Sequence, residues 1–157
     1  SPKRMTRDFD TVSICLSKGL GSPVGSVLVG SNETISLAHR WRKMFGGGMR
    51  QAGIIAAAGI YALENHVERL GEDHLHAHKL AEAINGMEGF TIDMTSVETN
   101  MIYIRTLSSN AEHIVEKLSE DGIDLLSIDE SNIRVVTHLH ITPKDVERTI
   151  SAFSKLT

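Results

Sequence analysis

A strand pattern that stops at a lysine in a glycine-rich turn is the feature that most constrains the fold. The apolar side chains of residues 9–16 recur at a period of two, which predicts a buried strand. The segment Ser17-Lys-Gly-Leu-Gly-Ser-Pro-Val-Gly25 then ends it, because glycine and proline in quick succession break strands. A second strand is expected over residues 26–29. Lys18 is therefore predicted at the end of a buried strand.

The position of Lys18 admits two interpretations. An ammonium group is costly to bury, so a lysine at a sheet edge usually extends to water, and position alone favours this interpretation. The alternative is a lysine that forms a Schiff base with an aldehyde, since desolvation and nearby cations free the lone pair of an amine for attack. The flanking glycines would let a bulky cofactor approach the backbone closely.

Composition sets the broad class of protein. With 157 residues, 41% of them hydrophobic and 23% charged, the chain suits one modest globular domain or a piece of a larger one. Its net charge of -4 disfavours nucleic acid as the main partner. A single cysteine, Cys15, and the absence of a signal-peptide pattern at residues 1–8 favour a cytoplasmic location.

The longest apolar stretch, residues 52–63, is shorter than the roughly 20 residues that a membrane span needs. It is predicted as a buried helix, and no membrane partner is expected. Residues 49–85 as a whole are predicted as one long helix or a broken pair, with the break at Gly71 and Glu72.

Other elements are marked by capping residues and periodicity. Ser31 or Asn32 can cap a helix that three glycines, residues 46–48, bring to an end. Thr142 can cap the last helix, with Pro143 in its first turn. From residue 90 onward the pattern is that of a compact α+β unit, with strands over 90–94, 100–105, 123–127 and 132–137, and helices over 109–121 and 142–155.

Two long motifs carry a family resemblance. They are Ser17-Lys-Gly-Leu-Gly-Ser-Pro-Val-Gly25 and Arg42-Lys-Met-Phe-Gly-Gly-Gly-Met-Arg-Gln-Ala-Gly53, and Glu98-Thr-Asn-Met101 and Ile133-Arg-Val-Val-Thr-His138 extend the match. In this order and spacing the chain resembles the low-specificity threonine aldolases of the pyridoxal phosphate fold type I superfamily. A β-eliminating lyase or aminotransferase of the same superfamily is the alternative enzyme, although the second motif favours the aldolase.

The resemblance implies an α/β fold class in which this chain is the C-terminal part of a fold type I subunit. Residues 1–48 would finish the large, mostly parallel-sheet domain that binds pyridoxal phosphate. Residues 49–85 would form a connecting helix region, and residues 86–157 a small C-terminal α+β domain. An N-terminal part of the subunit would be a missing partner, so the chain alone is expected to be inactive.

The resemblance also implies roles for individual residues. Lys18 would form the Schiff base with pyridoxal 5'-phosphate. Arg50 would lie at its phosphate, across a subunit interface, and Lys43 would reach the cofactor region, which implies a homo-oligomer, either a dimer or a tetramer. Arg134 would bind the carboxylate of a small amino acid substrate, and its guanidinium fork suits that role because it can meet a carboxylate bidentately.

The activity implied by the resemblance is that of a carbon–carbon lyase. It would cleave L-threonine or L-allo-threonine, as β-hydroxy amino acids, to glycine and an aldehyde. A non-catalytic fragment or interaction module, in which Lys18 meets no cofactor, is the alternative from a different functional class.

Eight histidines raise the question of a metal site. His74 and His78 share a helical face, but no Glu-x-x-His partner or cysteine pair completes a zinc set, so no metal is expected. His66 and His113 are interpreted as surface positions on amphipathic helices.

Overall fold

The structure is a computed structural model that describes residues 2–156. It divides into two compact units between Glu68 and Arg69. Residues 1–68 are called the first unit below, and residues 69–157 the second unit. No helix in the described part of the chain combines the length and apolar character needed to cross a membrane.

The first unit is built on a hairpin of two strands followed by helices. Its elements are α1 (Pro2–Met5), β1 (Thr11–Cys15), β2 (Ser26–Gly30), α2 (Asn32–Met44) and α3 (Gly53–Asn65). The strands pair antiparallel, from Thr11 opposite Gly30 to Cys15 opposite Ser26. Ser31 is the cap of α2, one of the two caps that the sequence predicts, because its side chain accepts a hydrogen bond from the amide three residues on.

The expected burial of the first strand is wrong for this chain. Ile14 in β1 is 41% exposed, and no residue of β2 is buried. Apolar side chains on both faces of a strand are typical of a sheet that is covered on both sides. Helix α2 packs against β2, but a hairpin of two strands with one packed helix leaves most of its apolar surface open.

The helical stretch after the three glycines forms the predicted broken pair, α3 and α4 (Leu70–Asn85). Its break lies at residues 66–69 and not at Gly71 and Glu72, so that position was wrong. His66 ends α3 as its C-cap residue. Gly71 instead fits into the first turn of α4, where its φ is not in the positive range.

Helix α3 is not the buried helix that its composition predicts. Of its residues only Gly59 and Ala62 are buried, and Ile54 is 86% exposed. The helix is apolar on most of its circumference, and only the narrow strip with these small residues packs closely. Composition alone therefore overestimated its burial.

The second unit is a four-stranded antiparallel sheet with helices packed on one face. After α4 its elements are β3 (Phe90–Thr91), β4 (Met101–Thr106), α5 (Ala111–Glu120), β5 (Leu126–Ser127), β6 (Asn132–Val136) and α6 (Pro143–Ser154), with a short 3-10 helix over Met94–Ser96. The strand order is β3-β4-β6-β5. The predicted order of strands and helices is confirmed.

Two strands are shorter than predicted, the first because side chains take over its local backbone hydrogen bonds. The segment expected over 90–94 leaves the sheet after Thr91, where Asn85 Oδ1 accepts the Ile92 amide at 2.7 Å and Asp93 caps the 3-10 helix. The segment expected over 123–127 pairs only at Leu126–Ser127.

The core lies between the sheet and the helices of the second unit. Alternate residues of the central strands, Ile102 and Ile104 in β4 and Ile133 in β6, are at most 1% exposed. Phe153 of α6 is fully buried, and its ring meets that of Phe90 edge-on with centroids 5.2 Å apart. The residues between them on each strand face away from the core.

The cap of α6 forms as the sequence predicts. Thr142 is the N-cap, and Pro143 occupies the first turn. Thr142 also accepts the amide of Asp145, whose carboxylate accepts the Thr142 amide at 2.8 Å in return.

Candidate functional site

Residues 16–25, called the Lys18 turn below, connect β1 to β2. The Gly21 amide donates to the carbonyl oxygen of Lys18 (2.8 Å), and the Ser22 amide donates to that of Leu16 (3.0 Å). Gly21 has a φ of +68°, a conformation that residues with a Cβ adopt only at a cost. Glycine at this position therefore permits the backbone path that presents Lys18.

Helix α3 holds the Lys18 turn in place. Leu16 and Leu20 are the buried apolar side chains of the turn. A Cβ placed on Gly59 of α3 would lie 3.0 Å from Leu16 Cδ1, so glycine allows the close approach of helix and turn. In addition, His66 Nδ1 lies 2.6 Å from the carbonyl oxygen of Leu20.

The amine of Lys18 is exposed and has no hydrogen bond or ion pair with any of residues 2–156. The neighbouring thiol of Cys15 lies 3.4 Å from Ser17 Oγ. Hydrogen bonds from Ser17, first from its side chain and then from its backbone, lower the pKa of Cys15, and the positive charge of Lys18 contributes less. A free amine on a fixed turn is suited to react with an aldehyde.

The glycine run after α2 makes room for the stem of Lys43. Helix α2 ends at Met44 with Phe45 as its C-cap, and Gly46 turns the chain with a φ of +82°. A Cβ on Gly48 would lie 2.7 Å from Lys43 Cδ, so any side chain at residue 48 would displace Lys43. Gly46 therefore permits the turn, and Gly48 leaves space for the side chain of Lys43.

Arg50 follows the glycine run and is exposed. Neither its guanidinium nor the amine of Lys43 pairs with a carboxylate within residues 2–156. Gln51, directly after Arg50, has a φ of +49°. Two cations without counter-ions among residues 2–156, one in the last turn of α2 and one after the glycine run, are suited to bind an anion.

Arg134 lies on β6, on the face of the sheet that turns away from the core. The register places it between Tyr103 of β4 and Leu126 of β5. Its side chain is half-buried and makes no salt bridge within the described residues. The guanidinium is therefore available to a carboxylate from outside this unit.

A buried network fixes the end of the strand that carries Arg134. The Thr137 amide donates to Asn100 O at 3.0 Å, and Asn100 Nδ2 donates to Thr137 O at 2.7 Å. The Thr137 hydroxyl donates to the backbone carbonyl oxygen of Asp73 at 2.6 Å. These bonds tie β4, β6 and the first turn of α4 together.

The carboxylate of Asp73 is fully buried, and Arg69 neutralises it. The two guanidinium nitrogens of Arg69 lie 2.6 and 3.2 Å from the two carboxylate oxygens. The hydrogen bond to Asp73 raises the pKa of Arg69. The pair therefore fixes the first turn of α4, to which Thr137 is bonded.

Sequence reasoning missed His66 and Asp73. His66 was interpreted as a surface position, yet it is half-buried and bonded to Leu20. Arg69 and Asp73 have the i, i+4 spacing that marks a helical ion pair, but spacing gives no sign of its burial. For His66 no local signal was present, because its partner is 46 residues away.

The histidines of α4 form no metal site. His74 and His78 are exposed, and His78 lies 3.4 Å from Glu82. Among residues 2–156, no group of three or more histidine, cysteine, aspartate or glutamate side chains is placed to hold a metal ion. Lys18, Lys43 and Arg50 all belong to the first unit, and Arg134 belongs to the second.

The chain is similar to curated threonine aldolases. It is 43% identical over 155 residues to low-specificity L-threonine aldolase 1 of Arabidopsis thaliana. The aligned region covers 97% of this chain and 43% of the relative. It is 46% identical over 140 residues to low-specificity L-threonine aldolase of Escherichia coli K12, covering 89% of this chain and 40% of the relative. The chain thus spans less than half the length of these relatives.

Solved structures share the fold. A Listeria monocytogenes protein with the provisional name L-allo-threonine aldolase superposes with a TM-score of 0.81 at 23% identity, covering all of this chain and 47% of its own. Serine palmitoyltransferase of Sphingomonas wittichii gives 0.72 at 16% identity, covering 97% and 40%. The predicted α/β fold, that of part of a fold type I subunit, is confirmed.

The model of one protein family settles the affiliation. The beta-eliminating lyase model matches residues 1–107, which include the Lys18 turn and the glycine run with Lys43 and Arg50. Together with the curated relatives, this match confirms the resemblance found in the motifs. The chain belongs to the beta-eliminating lyase family.

Proposed function

We propose that this chain is part of the subunit of a pyridoxal phosphate-dependent aldolase that cleaves L-threonine or L-allo-threonine to glycine and an aldehyde. The observation that carries the proposal is 43–46% identity to low-specificity L-threonine aldolases over most of the chain. Because the chain spans less than half of those relatives, the activity belongs to a longer subunit.

Three features of the first unit fit pyridoxal phosphate. Within residues 2–156, Lys18 offers an unpaired amine on a fixed turn, and Lys43 and Arg50 offer cations without carboxylate partners. Lys18 would hold the cofactor covalently through its amine, Arg50 would bind the phosphate, and Lys43 would reach the cofactor region. When bound, the cofactor supplies an electron sink for a bond that breaks at the Cα atom of the amino acid.

The contribution of Arg134 is orientation of the substrate. A bidentate pair between its guanidinium and the substrate carboxylate fixes rotation about the bonds to Cα as well as position. The orientation of the groups on Cα would select the bond that is cleaved, so this rotation would decide between cleavage at Cβ and other reactions. Arg134 would thereby favour aldol cleavage of the substrate between Cα and Cβ.

The proposal extends to assembly. If Arg50 binds the phosphate of a neighbouring subunit, the enzyme is a homo-oligomer, and the exposed apolar side chains of α3 would suit such an interface. The cytoplasmic location expected from the sequence stays a prediction.

The test is to trap the cofactor. The chain is mixed with pyridoxal phosphate, alone and together with the part of the E. coli relative that it does not cover. Borohydride reduction and mass spectrometry then map the modified lysine. We expect an adduct at Lys18 that Lys18→Arg abolishes and Lys79→Arg leaves intact, and aldehyde release from threonine in the complemented mixture.

Two results would count against the proposal. Modification that is spread over Lys79 and other exposed lysines would mean that Lys18 is not selective. A specific adduct without aldehyde release in the complemented mixture would favour the alternative, a non-catalytic fragment or another lyase of the superfamily.

A further inference from the structure

We propose that His66 is a positioning residue that fixes the Lys18 turn through the carbonyl oxygen of Leu20. The inference deepens the proposed function and rests on it in one respect, namely that Lys18 is the residue that holds the cofactor. The contact itself is a property of the first unit and can be tested without cofactor.

The hydrogen bond between His66 and Leu20 is short and partly buried. His66 Nδ1 lies 2.6 Å from the carbonyl oxygen, and Leu20 is only 8% exposed. No other donor among residues 2–156 bonds to this oxygen. A carbonyl in such a place is destabilising when it lacks a partner, so His66 meets a need of the turn.

The imidazole ring is itself held by the end of α3. The His66 amide donates to Ala62 O at 2.9 Å as the last hydrogen bond of the helix. The ring of Tyr61 meets the imidazole edge-on, with centroids 5.5 Å apart. Because the acceptor is a carbonyl, Nδ1 must carry a proton, which is possible in one neutral tautomer and in the imidazolium form.

A single peptide group connects this contact to Lys18. The carbonyl of Leu20 and the amide of Gly21 belong to the same planar unit. Its oxygen accepts from His66, and its N–H donates to the carbonyl oxygen of Lys18 at 2.8 Å. Rotation of this plane would break both bonds, so His66 fixes the backbone of Lys18 through one rigid group.

Substitutions at residue 66 can separate the hydrogen bond from the shape of the side chain. The amide nitrogen of His66→Asn lies as many bonds from Cα as Nδ1 and can donate. His66→Asp has the same shape but can only accept when ionised, and His66→Leu cannot bond at all. His113→Leu, at an exposed position of α5, is the matched control for loss of a histidine.

Amide hydrogen exchange of Gly21, measured by NMR on the chain without cofactor, is the first readout. We expect exchange about five- to tenfold faster in His66→Leu and His66→Asp, from the usual worth of one hydrogen bond. His66→Asn should stay within about twofold of the native chain, as should the control. Equal rates in His66→Asn and His66→Asp, or the same acceleration in α2 as at Gly21, would overturn the inference.

Borohydride trapping of pyridoxal phosphate at Lys18, in the complemented mixture, is the second readout. Its yield should fall about fivefold or more in His66→Leu and His66→Asp and be restored in His66→Asn. Unchanged yield in all three variants would overturn the positioning role. If even the native chain forms no adduct, the proposed function fails, while Gly21 exchange still decides whether His66 fixes the turn.

Discussion

At the scale of single residues, Arg134 is the proposed substrate-binding residue with a clearly defined place in the sheet of the second unit. Tyr103 and Leu126 flank it in the register of the sheet, and the bonds of Thr137 close the end of its strand. The guanidinium group is planar and presents its donors in a rigid fork. The proposed carboxylate role therefore depends on the planar fork as well as on its charge.

Replacing Arg134 by lysine should separate the effect of the guanidinium fork from the effect of its positive charge. We expect Arg134→Lys to weaken substrate binding by roughly 10- to 100-fold, because a single ammonium cannot form the bidentate pair. Trapping of cofactor at Lys18 should be unchanged. Substrate titration of the complemented enzyme measures this, with Arg105→Lys on the same sheet face as control. Equal substrate affinity of the Arg134→Lys variant and the native enzyme would show that Arg134 does not bind the substrate carboxylate bidentately.

The buried carboxylate of Asp73 predicts a large effect on stability. Asp73→Asn should destabilise the second unit by about 3 kcal/mol, because Arg69, with only 15% of its side chain exposed, would lose its counter-charge. Urea unfolding followed by circular dichroism measures the free energy. Glu72→Gln is the control, since Glu72 is exposed and lies 4.0 Å from the same arginine. Similar losses in both variants would refute a special role for burial.

At the scale of elements, α6 shows how a local signal fixes the start of a helix. Replacing its cap, Thr142→Ala, should destabilise the second unit by about 1 kcal/mol, the usual worth of an N-cap side chain. Thermal unfolding would detect this, and Thr149→Ala within the helix is a control for loss of a threonine. A midpoint for Thr142→Ala equal to that of the native chain would mean that the cap is redundant.

The same cap predicts a dependence on pH. Hydrogen bonds from Thr142, first from its side chain and then from its backbone, lower the pKa of Asp145 below its usual 3.8. A lowered folded-state pKa gives stability that is present above about pH 4 and is lost as the pH falls through that lower value. Unfolding measured between pH 6 and 2, roughly spanning this window, should be less pH-dependent in Thr142→Ala. An identical acid profile would exclude the contribution.

Elements and site residues differed in how far the sequence could predict them. Caps such as Ser31 and Thr142, and the order of the second unit, depend on neighbours along the chain and were predicted. The burial of β1 and α3 depends on what packs against them, which periodicity cannot supply. Lys18, Lys43, Arg50 and Arg134 came from motifs, whereas the contacts of His66 and Thr137 join residues 46 and 64 positions apart.

At the scale of the whole molecule, apolar burial is unequal between the two units. The hydrophobic core, which extends from Ala77 to Phe153, lies entirely in the second unit. In the first unit the buried apolar side chains are Leu16, Leu20 and Ala62, while Phe9, Val29 and Ile54 are at least half exposed. Stability follows buried apolar area, so the units should differ in stability.

Hydrogen exchange of the whole chain should reveal this difference. We expect amides of β4, β6 and α4 to be protected at least about 100-fold more than those of β1 and β2, because local opening of the hairpin exposes little buried surface. Mass spectrometry after peptic digestion measures both sets in one sample. Equal protection of the two hairpin strands and of β4 would contradict the prediction.

The alternation of side chains along β4 and β6 has a consequence for how the protein can change. Ile102, Ile104 and Ile133 build the core from one side of the sheet, while Tyr103 and Arg134 occupy the other. If Arg134 binds the substrate carboxylate as proposed, changes at residues 103 and 134 can alter amino acid recognition without altering the core. Under the proposed function, amino acid preference and thermal tolerance would be separately evolvable in this unit, and a mutant library at Tyr103 and Arg134 would change the first with little loss of the second.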